Sequence, residues 1–304
     1  MQIFDRDQTA QALPYSRLVP AVAEAAKELA AGTIVAPERQ VVTIDAASVL
    51  LSMPAIGRDI SATKLITVHG GNARHKLPAI QGEVIVFETA TGRRLALLDG
   101  PTVTARRTAA MTLLGIDTLA RRKPASALII GTGTQAAAHA DALVEYFGVS
   151  TFIIAGSTRE NAQSFASSLS ARHGQLDAQV LTAESLKQEV PDTDVIIALT
   201  TATVPVIPSK ISPDTLAVGV GAFKPNMAEF PPELLHARQI IVDDLNGARH
   251  EAGDLLQAKV DWSGVSAIGD LLSGRVPHPT AVPVFKTVGQ AAWDLAAARV
   301  AIGQ

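Results

Sequence analysis

Cysteine is absent from this chain of 304 residues, which excludes disulfides, thiolate nucleophiles and thiolate metal ligands. Aromatic residues are scarce, at eight Phe, two Trp and two Tyr, and the formal net charge is −3. The sequence therefore offers neither a basic field nor a set of stacking platforms, and nucleic acid is not an expected partner. Long apolar runs are missing as well. Stretches such as Ala127 to Ile130 and Val195 to Leu199 fall far short of the roughly 18 to 20 residues needed to span a bilayer, so no membrane association is expected. Met1 to Asp7 carries acids and lacks the basic flank and apolar stretch of a secretion signal, which predicts a cytoplasmic protein. No His, Asp and Glu cluster has metal-ligand spacing, and His236, His250 and His278 are scattered, so no metal is expected. What is present is 47% apolar residues, enough for a large core divided between two domains.

The first third lacks a regular alternation of strands and helices. Ser16 to Ala31 places Leu18, Val19, Val22, Ala25, Ala26 and Leu29 at helical spacing and stops at Gly32. Short β-branched segments follow at Val41 to Ile44, Val49 to Met53, Thr63 to Val68 and Glu83 to Glu88, the last turning through Thr89 to Gly92 into Leu95 to Leu98. This predicts an antiparallel or mixed sheet, then a helix from Thr102 to about Ala120. After Pro124 strands alternate with helices, the pattern of a parallel sheet. Strands are predicted at Ser126 to Ile130, Thr151 to Ala155, Asp194 to Leu199, Leu216 to Val220 and Gln239 to Val242. Helices are predicted at Gln135 to Tyr146, Arg159 to Arg172 and Ala291 to Val300. The expected fold class is α/β: a Rossmann-type doubly wound parallel sheet over residues 121–284, plus an α+β domain built from residues 1–120 and 285–304.

Gly131-Thr132-Gly133-Thr134-Gln135-Ala136 leaves a predicted strand and opens a predicted helix, the context a dinucleotide fingerprint requires. Gly131 allows the tight turn, Gly133 lets backbone N–H groups approach a pyrophosphate, and Ala136 lets helix and strand pack closely. A tight turn that binds nothing is the alternative. Beyond the next strand, where an NAD site places an acid, stand Ser157, Thr158 and Arg159. Two hydroxyls and a cation suit a 2′-phosphate, so NADP(H) is the expected cofactor and NAD(H) the second choice, with Glu160 as the acid in a shifted register. Thr200 and Thr201, after the Asp194 to Leu199 strand, put hydroxyls where such sheets bind ligands.

Three cations in the first domain suit a carboxylate ligand: Arg39, Lys64 on a predicted strand, and Arg107. Arg107 precedes the almost uncharged Thr108-Ala109-Ala110-Met111, so it is expected at a buried helix start, where a charge needs a partner.

The chain resembles the ornithine cyclodeaminase/μ-crystallin family from about Pro37 to its last helix. The segments that carry the resemblance are Leu51-Ser52-Met53-Pro54-Ala55, Lys64 with Asn72 behind it, Thr91-Gly92, and Leu97-Leu98-Asp99-Gly100. They continue with Thr104 to Ala110, the Gly131 loop, and Val284-Phe285-Lys286-Thr287-Val288-Gly289 through Asp294-Leu295. The resemblance implies Arg39, Lys64, Asn72 and Arg107 as substrate contacts, with Lys64 and Arg107 catalytic, and adds Thr108 and Gly221 to the cofactor set. It also implies a homodimer built on the first-domain sheet. Cyclodeaminases of the family place an Asp where this chain has Phe223, within Gly221-Ala222-Phe223-Lys224-Pro225-Asn226, and a Glu where it has Leu51. Neither replacement accepts a proton or binds an ammonium, so ring closure with loss of ammonia is disfavoured and Phe223 becomes a substrate-lining residue. What remains is hydride delivery to a preformed C=N bond beside a carboxylate. The expected activity is thus reduction of Δ1-pyrroline-2-carboxylate or Δ1-piperideine-2-carboxylate to L-proline or L-pipecolate. Lys64 either protonates nitrogen or only pairs with the carboxylate, and His69 and His75 are alternative donors. The rival readings are an alanine-type amino-acid dehydrogenase, an ornithine cyclodeaminase, and a crystallin-like binder of NADPH and a small ligand without turnover.

Overall fold

The computed structural model describes residues 1–174, 176–188 and 190–303. Along the chain run β1 (Gln2–Phe4), α1 (Arg6–Ala12), α2 (Tyr15–Ala30), β2 (Gln40–Asp45), β3 (Ser48–Ile56), β4 (Ile60–His69), β5 (Ile80–Glu88), β6 (Arg94–Asp99) and α3 (Gly100–Leu119). Next come β7 (Ser126–Ile130), α4 (Thr134–Phe147), β8 (Thr151–Gly156), α5 (Arg159–His173), β9 (Asp177–Thr182), β10 (Val195–Ala198) and β11 (Leu216–Gly219). The remainder is α6 (Pro232–Ala237), β12 (Ile240–Val242), α7 (Leu245–Glu251), α8 (Gly253–Ala258), β13 (Val265–Ala267), α9 (Ile268–Leu272), β14 (Val284–Lys286) and α10 (Ala291–Ala301). Two compact units result, Met1–Ala110 with Gln290–Gln304, and Met111–Gly289. The division falls inside α3, where the sequence pattern places it after Ala120.

The first unit holds a six-stranded sheet in the order β1-β6-β5-β4-β3-β2, with β1 parallel to β6 and the other pairs antiparallel. The period of two along β4 turns Ile60, Ala62, Lys64 and Ile66 to one face, and these are buried. Lys64 pairs with Met53 on β3 and Val84 on β5, both also buried. Helix α10 packs against β3, β4 and α2. Its alanines let it approach closely, and Trp293 fills the space beside them with no exposed surface. Gln290 caps α10 by accepting from Ala292 N at 2.8 Å and donates to Ala36 O at 2.9 Å. On the opposite face Ile3, Val42, Ile56 and Leu65 are exposed.

The second unit is an eight-stranded, wholly parallel sheet in the order β13-β12-β14-β11-β10-β7-β8-β9. The chain runs outward from β7 through β8 to β9, then returns to the other side of β7 as β10. That reversal opens a crevice at the carboxyl ends of β7 and β10, the place where such sheets take ligands. Near-continuous apolar strands such as Ala127-Leu128-Ile129-Ile130 are buried on both faces, as a parallel sheet demands. Among the described residues no helix is long and apolar enough to cross a membrane.

Candidate active site

In the first unit three charged side chains meet in the core. Lys64 Nζ lies 2.9 Å from Asp294 Oδ2 and donates to Asp294 Oδ1 at 3.2 Å. Arg107 Nε, from α3, donates to the same Oδ1 at 3.1 Å. Lys64 and Asp294 are 1% exposed and Arg107 5%. One carboxylate thus serves two buried cations, leaving an excess positive charge away from water. An unbalanced buried charge is costly, so this cluster is complementary to an anion. Burial pushes the Lys64 pKa down from 10.5 to about 8; Asp294 opposes that shift, while the charges of Arg107 and Arg39 add to it. Arg39 is therefore close enough for its field to reach Lys64.

Leu51 and Met53 alternate with Ser52, so Leu51 shares the Lys64 face of the sheet and brings an apolar group there. Asn72 begins a 3₁₀ turn and donates to Pro78 O at 2.7 Å, closing its own loop. The Thr108 hydroxyl donates to Thr104 O at 2.6 Å along its own helix.

In the second unit the residues expected around a dinucleotide line the carboxyl ends of four adjacent strands. Gly131 has φ +118°, and a Cβ there would stand 2.5 Å from Leu199 O, so only glycine fits between β7 and β10. Gly133 caps α4 with no side-chain bond, and a Cβ there would meet nothing within 4 Å. Open space before uncapped helical N–H groups is what a pyrophosphate requires. Thr132, Thr134 and Gln135 complete the turn, and Ala136 is fully buried against the sheet. At the end of β8, Ser157, Thr158 and Arg159 are exposed. Thr158 accepts from Asn161 N at 3.2 Å as the cap of α5. The Glu160 carboxyl is held below its usual pKa by its own backbone N–H and the Thr158 hydroxyl, so this acid already has donors at the helix start. Gly221 crowds Thr200, whose carbonyl oxygen would stand 1.9 Å from an added Cβ. Thr201 and Phe223 are exposed.

Besides Asp243 and Asp254, which are buried as well, two buried acids at the candidate sites escaped the sequence reading. Asp294 is one; its signal was a lone acid within the apolar run Ala291 to Ala298. Glu229 is the other, fully buried and bonded to the Thr200 and Gly221 backbones. Flanked by Ala228 and Phe230, it carried a similar but weaker mark.

A doubly wound parallel sheet with a glycine turn at its switch point, joined in one chain to a mixed sheet with a buried cationic cluster, defines a two-unit protein of the dinucleotide-dependent oxidoreductase class. Residues 3–302 match the ornithine cyclodeaminase/mu-crystallin family, and the chain belongs to it. It is 42% identical over 300 residues to the Delta(1)-pyrroline-2-carboxylate/Delta(1)-piperideine-2-carboxylate reductase of Azospirillum brasilense, covering 98% of this chain and 94% of that protein. Among solved structures, the Delta(1)-pyrroline-2-carboxylate reductase of Thermococcus litoralis in complex with NADH and L-proline superposes with a TM-score of 0.89. It is 24% identical, and the match covers 100% of this chain and 97% of that one. An archaeal alanine dehydrogenase dimer with bound NAD gives a TM-score of 0.88 at 25% identity, over 100% and 95% of the two chains.

Proposed function

We propose that this protein is an NAD(P)H-dependent reductase of a cyclic ketimine carboxylate, converting Δ1-pyrroline-2-carboxylate or Δ1-piperideine-2-carboxylate to L-proline or L-pipecolate. The observation that carries this reading is the buried cluster of Lys64, Arg107 and Asp294, whose one excess positive charge asks for a carboxylate. The relationship to the Azospirillum reductase supports it.

The residues present fit a nicotinamide dinucleotide: Gly131, Gly133 and the start of α4 for the pyrophosphate, Ser157 to Arg159 for the ribose end, and Thr200, Thr201 and Gly221 toward the nicotinamide. When bound, that cofactor supplies the hydride. The chain's own contribution is positioning and charge. Arg107 holds the substrate carboxylate with a planar donor set, and Arg39 adds a further cation. Lys64 Nζ, with a pKa of about 8, keeps its proton at neutral pH and releases it to the ring nitrogen as that nitrogen becomes an amine. Asp294 aims both cations. Leu51 and Phe223 bring no acid, so nothing at those positions accepts a proton for deamination.

With no acid in the exposed run Ser157 to Arg159, and Glu160 engaged at its own helix start, NADPH is preferred over NADH. The exposed apolar face of the first-unit sheet, with Ile3, Val42, Ile56 and Leu65, supports a homodimer, as does the alanine dehydrogenase dimer. The decisive assay follows loss of reduced-cofactor absorbance with pyrroline-2-carboxylate, with piperideine-2-carboxylate, and with pyruvate plus ammonium, and formation of proline from ornithine. Turnover with the cyclic imines alone is expected. Faster turnover of pyruvate and ammonium, or of ornithine, would overturn the reading.

A further inference from the structure

Glu229 has no exposed surface and sits beyond the carboxyl end of the parallel sheet. Its Oε1 accepts from Thr200 N at 2.7 Å and Thr200 Oγ1 at 3.0 Å. Its Oε2 accepts from Gly221 N at 2.7 Å and Ala222 N at 3.2 Å. Four donors, two following β10 and two following β11, thus converge on one carboxylate. The approach is tight: a Cβ on Gly221 would stand 1.9 Å from Thr200 O and 2.6 Å from Glu229 Oε1. Only an acceptor-only group satisfies this set, because an amide would turn N–H toward N–H on one side.

Behind Glu229 lie two more buried charges. Lys286 ends β14 beside Gly219 of β11, and its Nζ, also with no exposed surface, stands 3.6 Å from Asp254 Oδ2 without a hydrogen bond. Burial raises the Glu229 pKa above the usual carboxylate range; the Lys286 charge opposes that shift, while Asp254 adds to it. Asp254 opens α8, and that helix supports the loop between Gly221 and Glu229. Gly253 lies so close that a Cβ would meet Lys224 O at 2.2 Å, and Gln257 Nε2 donates to Pro225 O and Met227 O at 3.0 Å each.

We infer that Glu229, backed by Lys286 and Asp254, is a positioning residue that clamps the ends of β10 and β11 and thereby sets how the nicotinamide end of the cofactor and the Phe223 loop are held. This rests on the proposed placement of the cofactor along Thr200 and Gly221. It also gives a role to Lys286 of the Phe-Lys-x-Val-Gly segment, which is not a member of the Lys64, Arg107 and Asp294 cluster. The opposite, amino ends of the sheet's strands supply a natural control. Asp194 ties β7 to β10 at their amino ends, accepting from Ala125 N at 2.8 Å, Ser126 N at 3.0 Å and Arg122 Nε at 2.8 Å. It is the same kind of tie at the opposite end of the strands from the glycine turn.

The test compares the wild type with Glu229→Gln, Lys286→Met and Asp194→Asn. NADPH and NADH binding are read by fluorescence titration, stability by urea unfolding, and cofactor KM, imine KM and kcat by steady-state assay. Glu229→Gln should weaken cofactor binding about tenfold or more, the scale of a lost charged hydrogen bond, and raise cofactor KM more than imine KM. Lys286→Met should shift both in the same direction, which keeps the inference testable if Glu229→Gln does not fold. Asp194→Asn should lose stability while binding cofactor within about twofold of wild type. Unchanged cofactor affinity in folded Glu229→Gln or Lys286→Met would overturn the clamp alone. So would equal weakening in Asp194→Asn, since general destabilisation would then account for the effect. A wild-type chain that binds neither nucleotide would instead overturn the cofactor placement and the clamp with it.

Discussion

Asp294 Oδ2 lies 2.9 Å from Lys64 Nζ although 230 residues separate the two in sequence. The contact joins the last helix to the centre of the first-unit sheet, and the charge arithmetic of the cluster depends on it.

Removing the ammonium should separate stability from activity. In Lys64→Met the remaining pair, Arg107 and Asp294, is neutral overall, and a desolvated cation has gone. The melting temperature should stay level or rise while turnover of the imine substrate collapses. A melting temperature several degrees lower would show that the lysine is a structural member of the core.

Asp294→Asn has the opposite signature, because it leaves two buried cations without a counter-charge. A loss of roughly 3 to 5 kcal/mol in unfolding free energy is expected. L-proline or pyrrole-2-carboxylate should stabilise this variant more than the wild type, since the ligand carboxylate then meets two uncompensated cations rather than one. Equal ligand-induced shifts in thermal melting for the two proteins would refute that account.

The Lys64 pKa of about 8 sets a pH limit on activity. As pH rises through 8 the proton on Nζ is lost, so kcat/KM for the imine should fall. Stability runs the other way: between about 8 and 10.5 the unfolded lysine holds its proton and the folded one does not, so folding becomes more favourable as pH rises. In Lys64→Arg, whose side chain remains charged, the alkaline limb of the rate profile near 8 should vanish.

Arg107→Ala should raise the Michaelis constant for the imine by tenfold or more, the scale of about 1.4 kcal/mol or greater for a lost charged contact, with cofactor affinity little altered. An unchanged value would remove Arg107 from the substrate site.

His139 predicts acid sensitivity in the second unit. Its Nδ1–H donates to Gln135 O at 2.8 Å, so the neutral ring accepts the Thr112 hydroxyl at Nε2, 2.9 Å away. Burial lowers its pKa from 6.5 to about 4. As pH falls from 6.5 toward 4 the unfolded imidazole takes up a proton and the folded one does not, so stability is lost in that window. Urea unfolding at pH 7 and pH 5 should show a smaller pH effect in His139→Gln than in the wild type.

Much of the architecture was legible in the chain. The alternation of apolar strands with helices after Pro124 marks the parallel sheet, and Gly131 to Ala136 marks its switch point, because both patterns follow from local backbone requirements. The cations Lys64 and Arg107 stood out as charges in apolar surroundings. Segments of three residues, such as β1, β13 and β14, left too little periodicity to read, although the Asp5 and Gln8 capping box does announce α1. Edge strand β9, half exposed, was hidden for a related reason: its alternation is weak.

Residue type at one place and short-range spacing suffice for the fold class, the glycine turn after β7 and the absence of an acid at Phe223 and Leu51. Only the tertiary structure decided which acid answers the two buried cations and which one joins the ends of β10 and β11. Asp294 and Glu229 are ordinary carboxylates until folding removes water from around them; their meaning lies in the partners that chain topology brings within 3 Å or so, and no local pattern encodes those partners.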